Sequence, residues 1–271
     1  MLPRLAAKVV ALGGLTQPAR RLITDQPREH VEMTDRSHSV AVVVGVGAGL
    51  GAALARRFTE RYAVALVARG QEKLDALATE LGRAGGRALA VPADVSKADE
   101  IERAAERIRR ELGEVDVLLY NAAMRPFGRL METKPSTFET TWRVNAFGAF
   151  LWSRAVVPAM LTRRRGVILF TGATAGTKPF ATSAAFGPAK FALRGLAQVM
   201  ARDLGPQGVH VAYVNIDGAI DMPFIHRLRP DLPKEDMLQP SAVAETYWHI
   251  AHQHPSAWTQ EVDVRPFKER F

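Results

Sequence analysis

Apolar residues follow two alternating rhythms along the chain. Short, largely β-branched or aliphatic runs recur at residues 41–44, 63–67, 87–91, 115–120, 167–170, 209–216 and 261–264. Runs of this length are expected to be strands buried on both faces. Between them the apolar positions take helical spacing, as at Leu74, Leu77 and Leu81, or at Ile101, Ala104, Ala105, Ile108 and Leu112. Residues 135–164, 183–204 and 241–254 read as further helices, the first opened by Pro135 and Ser136. Such alternation predicts an α/β fold, a single doubly wound parallel sheet of about seven strands with helices on both faces. Residues 217–240 hold four prolines and break the rhythm, so they are expected to form a loop or a lid over a site.

The first strand leads into a turn that carries chemistry. Gly45, Gly47, Gly49 and Gly51 alternate directly after Val44, and helix formers from Ala52 to Phe58 follow. Free N–H groups in the first turn of a helix attract a phosphate, and glycine lets a pyrophosphate approach the backbone without meeting a Cβ. A glycine cluster is weak evidence by itself. Strand before and helix after is the setting a dinucleotide site requires, and it is present here. Ligands of open α/β sheets sit beyond the carboxyl ends of the strands, where the loops carrying Asp94, Asn121 and residues 171–177 converge with the glycine turn.

Composition adds little to this picture. Of 271 residues 47% are hydrophobic and 24% charged, an ordinary globular balance, and no run suggests a membrane span. Cysteine is absent, which excludes disulfide and thiol chemistry and leaves the redox compartment open. The net charge of +8 is scattered; Arg163, Arg164 and Arg165 stand where a helix should end, a favoured place for cations, without the aromatic residues of a nucleic-acid platform. Residues 1–38 differ from the rest: on a helix, Leu2, Leu5, Val9 and Leu12 would share a face opposite Arg4 and Lys8, and no acid stands before Asp25. They read as an extension ahead of a domain at 39–271. The extension resembles a mitochondrial presequence, which would place the protein in the matrix; Met33 as the true start would leave a cytoplasmic protein, and the Ala- and Arg-rich usage favours this second account.

From about Val40 onward the sequence resembles the short-chain dehydrogenase/reductase family. The family's Gly-x-x-x-Gly-x-Gly loop falls on Gly45, Gly49 and Gly51, with Leu50 between the last two. Its adenine-contacting Asp-Val pair falls on Asp94 and Val95, and its Asn-Ala-Gly turn on Asn121, Ala122 and Ala123. The active-site asparagine matches Asn145, the lysine Lys190, and the residue meeting the nicotinamide carboxamide Ile220. The resemblance implies a Rossmann-type domain, a nicotinamide dinucleotide, a small-molecule substrate, a homo-dimer or homo-tetramer built on faces around 147–152 and 191–199, and neither nucleic acid nor membrane as partner. At the end of the second strand stand Ala68 and Arg69, where a carboxylate would hold a ribose 2′-OH; a guanidinium suits a 2′-phosphate, so NADP(H) is expected over NAD(H).

The catalytic positions depart from the family pattern. Four residues before Lys190 the family's tyrosine is Phe186, and the serine position is Ala173. Neither can move a proton, a service worth about 10² to 10⁴ in rate. Thr174, Thr182, Ser183, Tyr120 and His226 are the nearby candidates for a substitute, with Thr182 or Ser183 read as a helix N-cap and Tyr120 as packing. Asp217 stands where the family has proline and adds a carboxylate of unknown orientation. Two readings follow from the resemblance: an oxidoreductase with a non-standard donor or a substrate needing none, or a nucleotide-binding pseudoenzyme or regulatory subunit.

Overall fold

The computed structural model describes residues 39–268. The strands are Val40–Val44 (β1), Ala63–Ala68 (β2), Ala88–Pro92 (β3), Val115–Tyr120 (β4), Gly166–Thr171 (β5), Val209–Ile216 (β6) and Glu261–Val264 (β7). They form one sheet in the order β3-β2-β1-β4-β5-β6-β7, with every pairing parallel. The order reverses at β1, where Val44 pairs with Val67 on one side and Tyr120 on the other. That reversal opens a crevice at the carboxyl end of β1.

The helices are Leu50–Thr59 (α1), Gln71–Arg83 (α2), Ala98–Glu111 (α3), Pro135–Trp142 (α4), Gly148–Arg163 (α5), Phe186–Leu204 (α6), Pro223–Leu228 (α7) and Pro240–Ala251 (α8). Alternate side chains of each strand face opposite ways, and each row meets its own helices. Val40, Val42 and Val44 join a core with Ile101 and Ile108 of α3, Trp152 of α5 and Leu193 of α6. Ala41 and Val43 join the other, with Phe58 of α1, Leu74 of α2 and Tyr247 of α8.

Several expectations need correction. The helix expected over 135–164 is interrupted by a π turn at Arg143–Phe147, in which the Gly148 N–H reaches the Arg143 carbonyl. Gly148 is packed so closely that an added Cβ would lie 2.5 Å from both the Tyr120 hydroxyl and the Val95 carbonyl oxygen. Pro135–Arg163 also contains a stretch long and apolar enough, by length and composition, to cross a membrane, contrary to the sequence reading. Its Trp152, Val156 and Met160 are packed into the core. Trp152 therefore does not contribute to an outer apolar face; Trp142, Phe147 and Phe150 stack there instead. The helix expected from Ser183 begins at Phe186, after Ala185, with no side-chain cap. Ser183 donates its hydroxyl to the Phe180 carbonyl at 2.6 Å, closing a turn rather than capping. The irregular segment after β6 contains α7 and is pinned back by a bridge between Ile220 and Leu238. The arginine run lies where expected: α5 ends at Arg163, Arg164 takes φ +49°, and Arg165 pairs with Asp116. The extension at 1–38, with its presequence reading, lies outside the described residues.

Candidate nucleotide-binding and active site

The glycine turn takes its shape from two near-contacts. Gly45 has φ +91°, and a Cβ there would lie 2.3 Å from the Ala122 nitrogen. A Cβ on Gly51 would lie 2.5 Å from the Gly45 carbonyl oxygen, so α1 can start this close to the turn only with glycine present. Asn121 donates its side-chain amide to that same carbonyl at 3.0 Å, tying the loop after β4 to the turn. Gly47 has open space around it. The Ala52 and Ala53 N–H groups bond back to Gly47 and Gly49, whereas the Leu50 and Gly51 amides begin the helix, where no intrahelical acceptor exists.

These residues border a cleft of about 590 Å³. Gly45, Gly49, Leu50, Gly51, Arg69, Asp94, Val95, Asn121 and Ile220, the residues expected on the cofactor side apart from Lys190, all line it. Asp94 accepts from the Ser96 N–H and hydroxyl at 2.9 and 2.8 Å. Burial pushes its carboxyl up, but these bonds, with Arg69 and Lys97 nearby, outweigh burial and hold it below the ordinary carboxylate range. Arg69 is exposed at the mouth of the cleft and carries no ion pair among the described residues. Met124, Thr140, Val144 and Met222 also line it and were not singled out from sequence. Met124 and Met222 stand in loops without a periodic pattern, and Thr140 and Val144 reach the cleft from α4 and the π turn, whose position no local spacing records.

Asn145 and Lys190 lie outside that lining, under it. Asn145 is fully buried in the π turn and donates to the carbonyls of Met124 (2.8 Å) and Thr141 (2.9 Å), while its Oδ1 has no protein partner. π turns are frequent at functional sites, and this one carries an orphaned polar atom. Lys190 is 1% exposed and donates to the Thr171 carbonyl at 2.8 Å. Burial pulls its ammonium down to about 7. The ring of Phe186 lies 5.7 Å from that ammonium. Beneath the loop bearing Ala173, Tyr213 packs so tightly that a Cβ on Gly172 or Gly176 would lie 2.3 Å from its ring or hydroxyl. Burial pushes its phenol up to about 12.

Residues 39–232 match the family model described as short chain dehydrogenase. The chain belongs to that family. It is 30% identical over 173 residues to a short chain dehydrogenase of Pseudocercospora fijiensis, covering 62% of this chain and 56% of that protein. An uncharacterized oxidoreductase of Staphylococcus aureus is 25% identical over 235 residues, covering 86% of this chain and all of that one. Among solved structures, a metagenomic short-chain oxidoreductase in complex with NADP is similar at 32% identity and a TM-score of 0.74, covering 86% of this chain and 99% of that one. The actinorhodin polyketide ketoreductase with NADPH aligns at 26% identity and a TM-score of 0.80, over 88% of this chain and 100% of that one.

Within this short-chain dehydrogenase the alternative proton donors are mostly engaged. The Tyr120 hydroxyl is buried and donates to the Val144 carbonyl at 2.5 Å. His226 meets Asp221 at 2.6 Å. Asp217 is buried and turned toward Lys178 (3.1 Å) and Arg265 (3.4 Å), joining the loops after β5, β6 and β7. Both cations lie far from it in sequence, so its orientation had no local signal.

Proposed function

We propose that this short-chain dehydrogenase binds NADP(H) in the cleft at the end of β1 and acts as an oxidoreductase through an atypical active site. The observation that carries the reading is convergence: residues from five separate loops, after β1, β2, β3, β4 and β6, border one cleft whose ribose end offers Arg69 and no carboxylate at Ala68. The cleft fits the group, because the turn is held open by glycines into which a Cβ would collide, and the first amides of α1 are left for a diphosphate. Bound there, the nicotinamide would donate or accept a hydride. The Gly45–Gly51 turn would hold the diphosphate, Arg69 the 2′-phosphate, Asp94 and Val95 the adenine end, and Lys190 and Ile220 the nicotinamide end.

Phe186 and Ala173 supply no proton at the reacting carbon's neighbour. Lys190, near neutrality in its buried position, and the Asn145 Oδ1 are the polar groups the site retains. The substrate that suits such a site is an activated double bond or an iminium, which accepts hydride with less acid assistance than a ketone. Phe186 is 4% exposed and packed as a core side chain, and this favours one second reading, a nucleotide-binding pseudoenzyme or regulatory subunit. For assembly we propose a homo-dimer or homo-tetramer through the outer faces of α4, α5 and α6, where Trp142, Phe150 and Phe191 are exposed.

Calorimetric titration with NADPH and NADH tests the nucleotide assignment. NADPH is expected to bind about tenfold tighter or more, as one charge-assisted phosphate contact provides; no heat with either coenzyme refutes it. A panel of enones, imines, quinones and ketones, followed by absorbance of the reduced coenzyme, separates the readings. Turnover of an enone or imine but not of simple ketones supports the enzyme, and no turnover with intact NADPH binding supports the pseudoenzyme.

A further inference from the structure

The loop after β4 carries a cation that the nucleotide assignment does not use. Arg125 follows Met124, which lines the main cleft, and precedes Pro126 and Phe127, which line a second, smaller one of about 250 Å³. Its guanidinium carbon lies over the Phe127 ring, 5.0 Å from the centroid. Among the described residues no carboxylate pairs with it, whereas Arg56, Arg103, Arg107, Arg143 and Arg194 each hold one. The side chain keeps solvent-exposed surface, yet neighbouring atoms desolvate the guanidinium enough to pull it below the ordinary arginine range.

The smaller cleft reaches the start of α6. Ala185 lines it and immediately precedes Phe186. Its wall is fixed by a bridge between Gly128 and Ser183, with the Gly128 N–H on the Thr182 carbonyl at 2.9 Å. Phe127, half exposed, offers an apolar surface. Two charged groups border the cleft itself, and Arg125 adjoins its Phe127 wall. Lys134 has no ion pair among the described residues, and Glu132 has one oxygen occupied by the Arg129 N–H at 2.8 Å. Lys134 on the lining and the adjoining Arg125 thus stand against one acid that is already partly engaged.

We infer that Arg125, with Phe127 beneath it and Lys134 across the smaller cleft, forms a subsite for an oxyanion on the substrate, a carboxylate or phosphate attached to a small apolar body. A planar guanidinium offers paired N–H donors to such a group, and the ring below it restricts its rotation. The inference rests on the proposed function, since it places the anion beside the nicotinamide end of the main cleft.

The test uses the full chain, with and without saturating NADPH, and three probes of one shape: benzoate, phenyl phosphate and the neutral benzamide. Calorimetry is expected to show benzoate or phenyl phosphate binding about tenfold tighter than benzamide, and Arg125→Gln to remove that preference while NADPH affinity is retained. Lys134→Gln is expected to reduce the preference by about half that on a logarithmic scale, as a more exposed charge would. A tighter phenyl phosphate assigns a phosphate-bearing substrate, and a tighter benzoate assigns an acid. Equal affinity for all three probes, no binding of either anion, or a preference that survives Arg125→Gln overturns the subsite. Failure of NADPH to bind instead overturns the nucleotide assignment, and the benzoate-to-benzamide ratio in the coenzyme-free protein then still decides the subsite.

Discussion

Replacing Lys190 by methionine should stabilise the protein at neutral pH while damaging its site. The ammonium is 1% exposed, makes one hydrogen bond to the Thr171 carbonyl, and faces the Phe186 ring rather than a carboxylate. Burial pulls it from its ordinary 10.5 to about 7. That difference corresponds to about 5 kcal/mol, as an upper bound, against holding the charged form in the folded state. Because the folded pKa is the lower one, the penalty is present in full below about pH 7. It is relieved as pH rises toward the unfolded value, where the unfolded chain holds a proton the folded one has released. Between about pH 6.5 and about pH 9.5 the lysine should therefore add about 3 kcal/mol to the rise in stability with pH. Lys190→Met removes this slope and offsets it with one lost hydrogen bond, worth about 1 kcal/mol. Urea unfolding of both proteins at the two pH values measures the effect. Parallel pH dependences, or a variant less stable than the parent at the lower pH, would refute the account of a desolvated ammonium. NADPH titration of the same variant is expected to show weaker binding, which separates a role in the site from a role in the fold.

Other substitutions probe the remaining contacts. Arg69→Asp is expected to reverse coenzyme preference toward NADH by about tenfold or more, measured by fluorescence of the bound reduced coenzyme; unchanged preference removes Arg69 from the ribose end. Gly45→Ala, which puts a Cβ 2.3 Å from the Ala122 nitrogen at φ +91°, should destabilise the protein by about 2 kcal/mol or more in urea. Gly47→Ala, with nothing within 4 Å, should leave stability within about 1 kcal/mol, and equal losses at the two positions would contradict the packing described. The double variant Ala173→Ser with Phe186→Tyr brings a phenol near the Lys190 ammonium and is expected to give NADPH-dependent reduction of simple ketones; no activity from a folded, NADPH-binding double variant shows that more than the acid is missing. Trp142→Glu with Phe150→Glu should dissociate the assembly in sedimentation, and an unchanged mass moves the interface elsewhere.

The sheet, its parallel pairing and the order of its elements were legible in the chain, because burial on one or both faces of a strand or helix imposes a spacing that local sequence carries. The run from Ala41 to Val44 reads as a doubly buried strand, and Leu74, Leu77 and Leu81 as one helix face, without reference to anything distant. The glycine turn and the pairing of Ala68 with Arg69 at the end of β2 were equally local. So was the identity of Phe186 and Ala173. Tertiary structure alone decided what depends on groups meeting across the strand ends. The π turn around Asn145 lies inside an unbroken helical pattern, and one extra residue in a turn leaves the apolar spacing nearly unchanged. Trp152 packs into the core rather than outward, which its place in an apolar run does not decide. Asp217 meets Lys178 and Arg265 because three loops converge at the ends of β5, β6 and β7, and among the described residues no acid pairs with Arg125. Periodicity records which face of an element is buried; it carries no record of which charges from remote loops share that space.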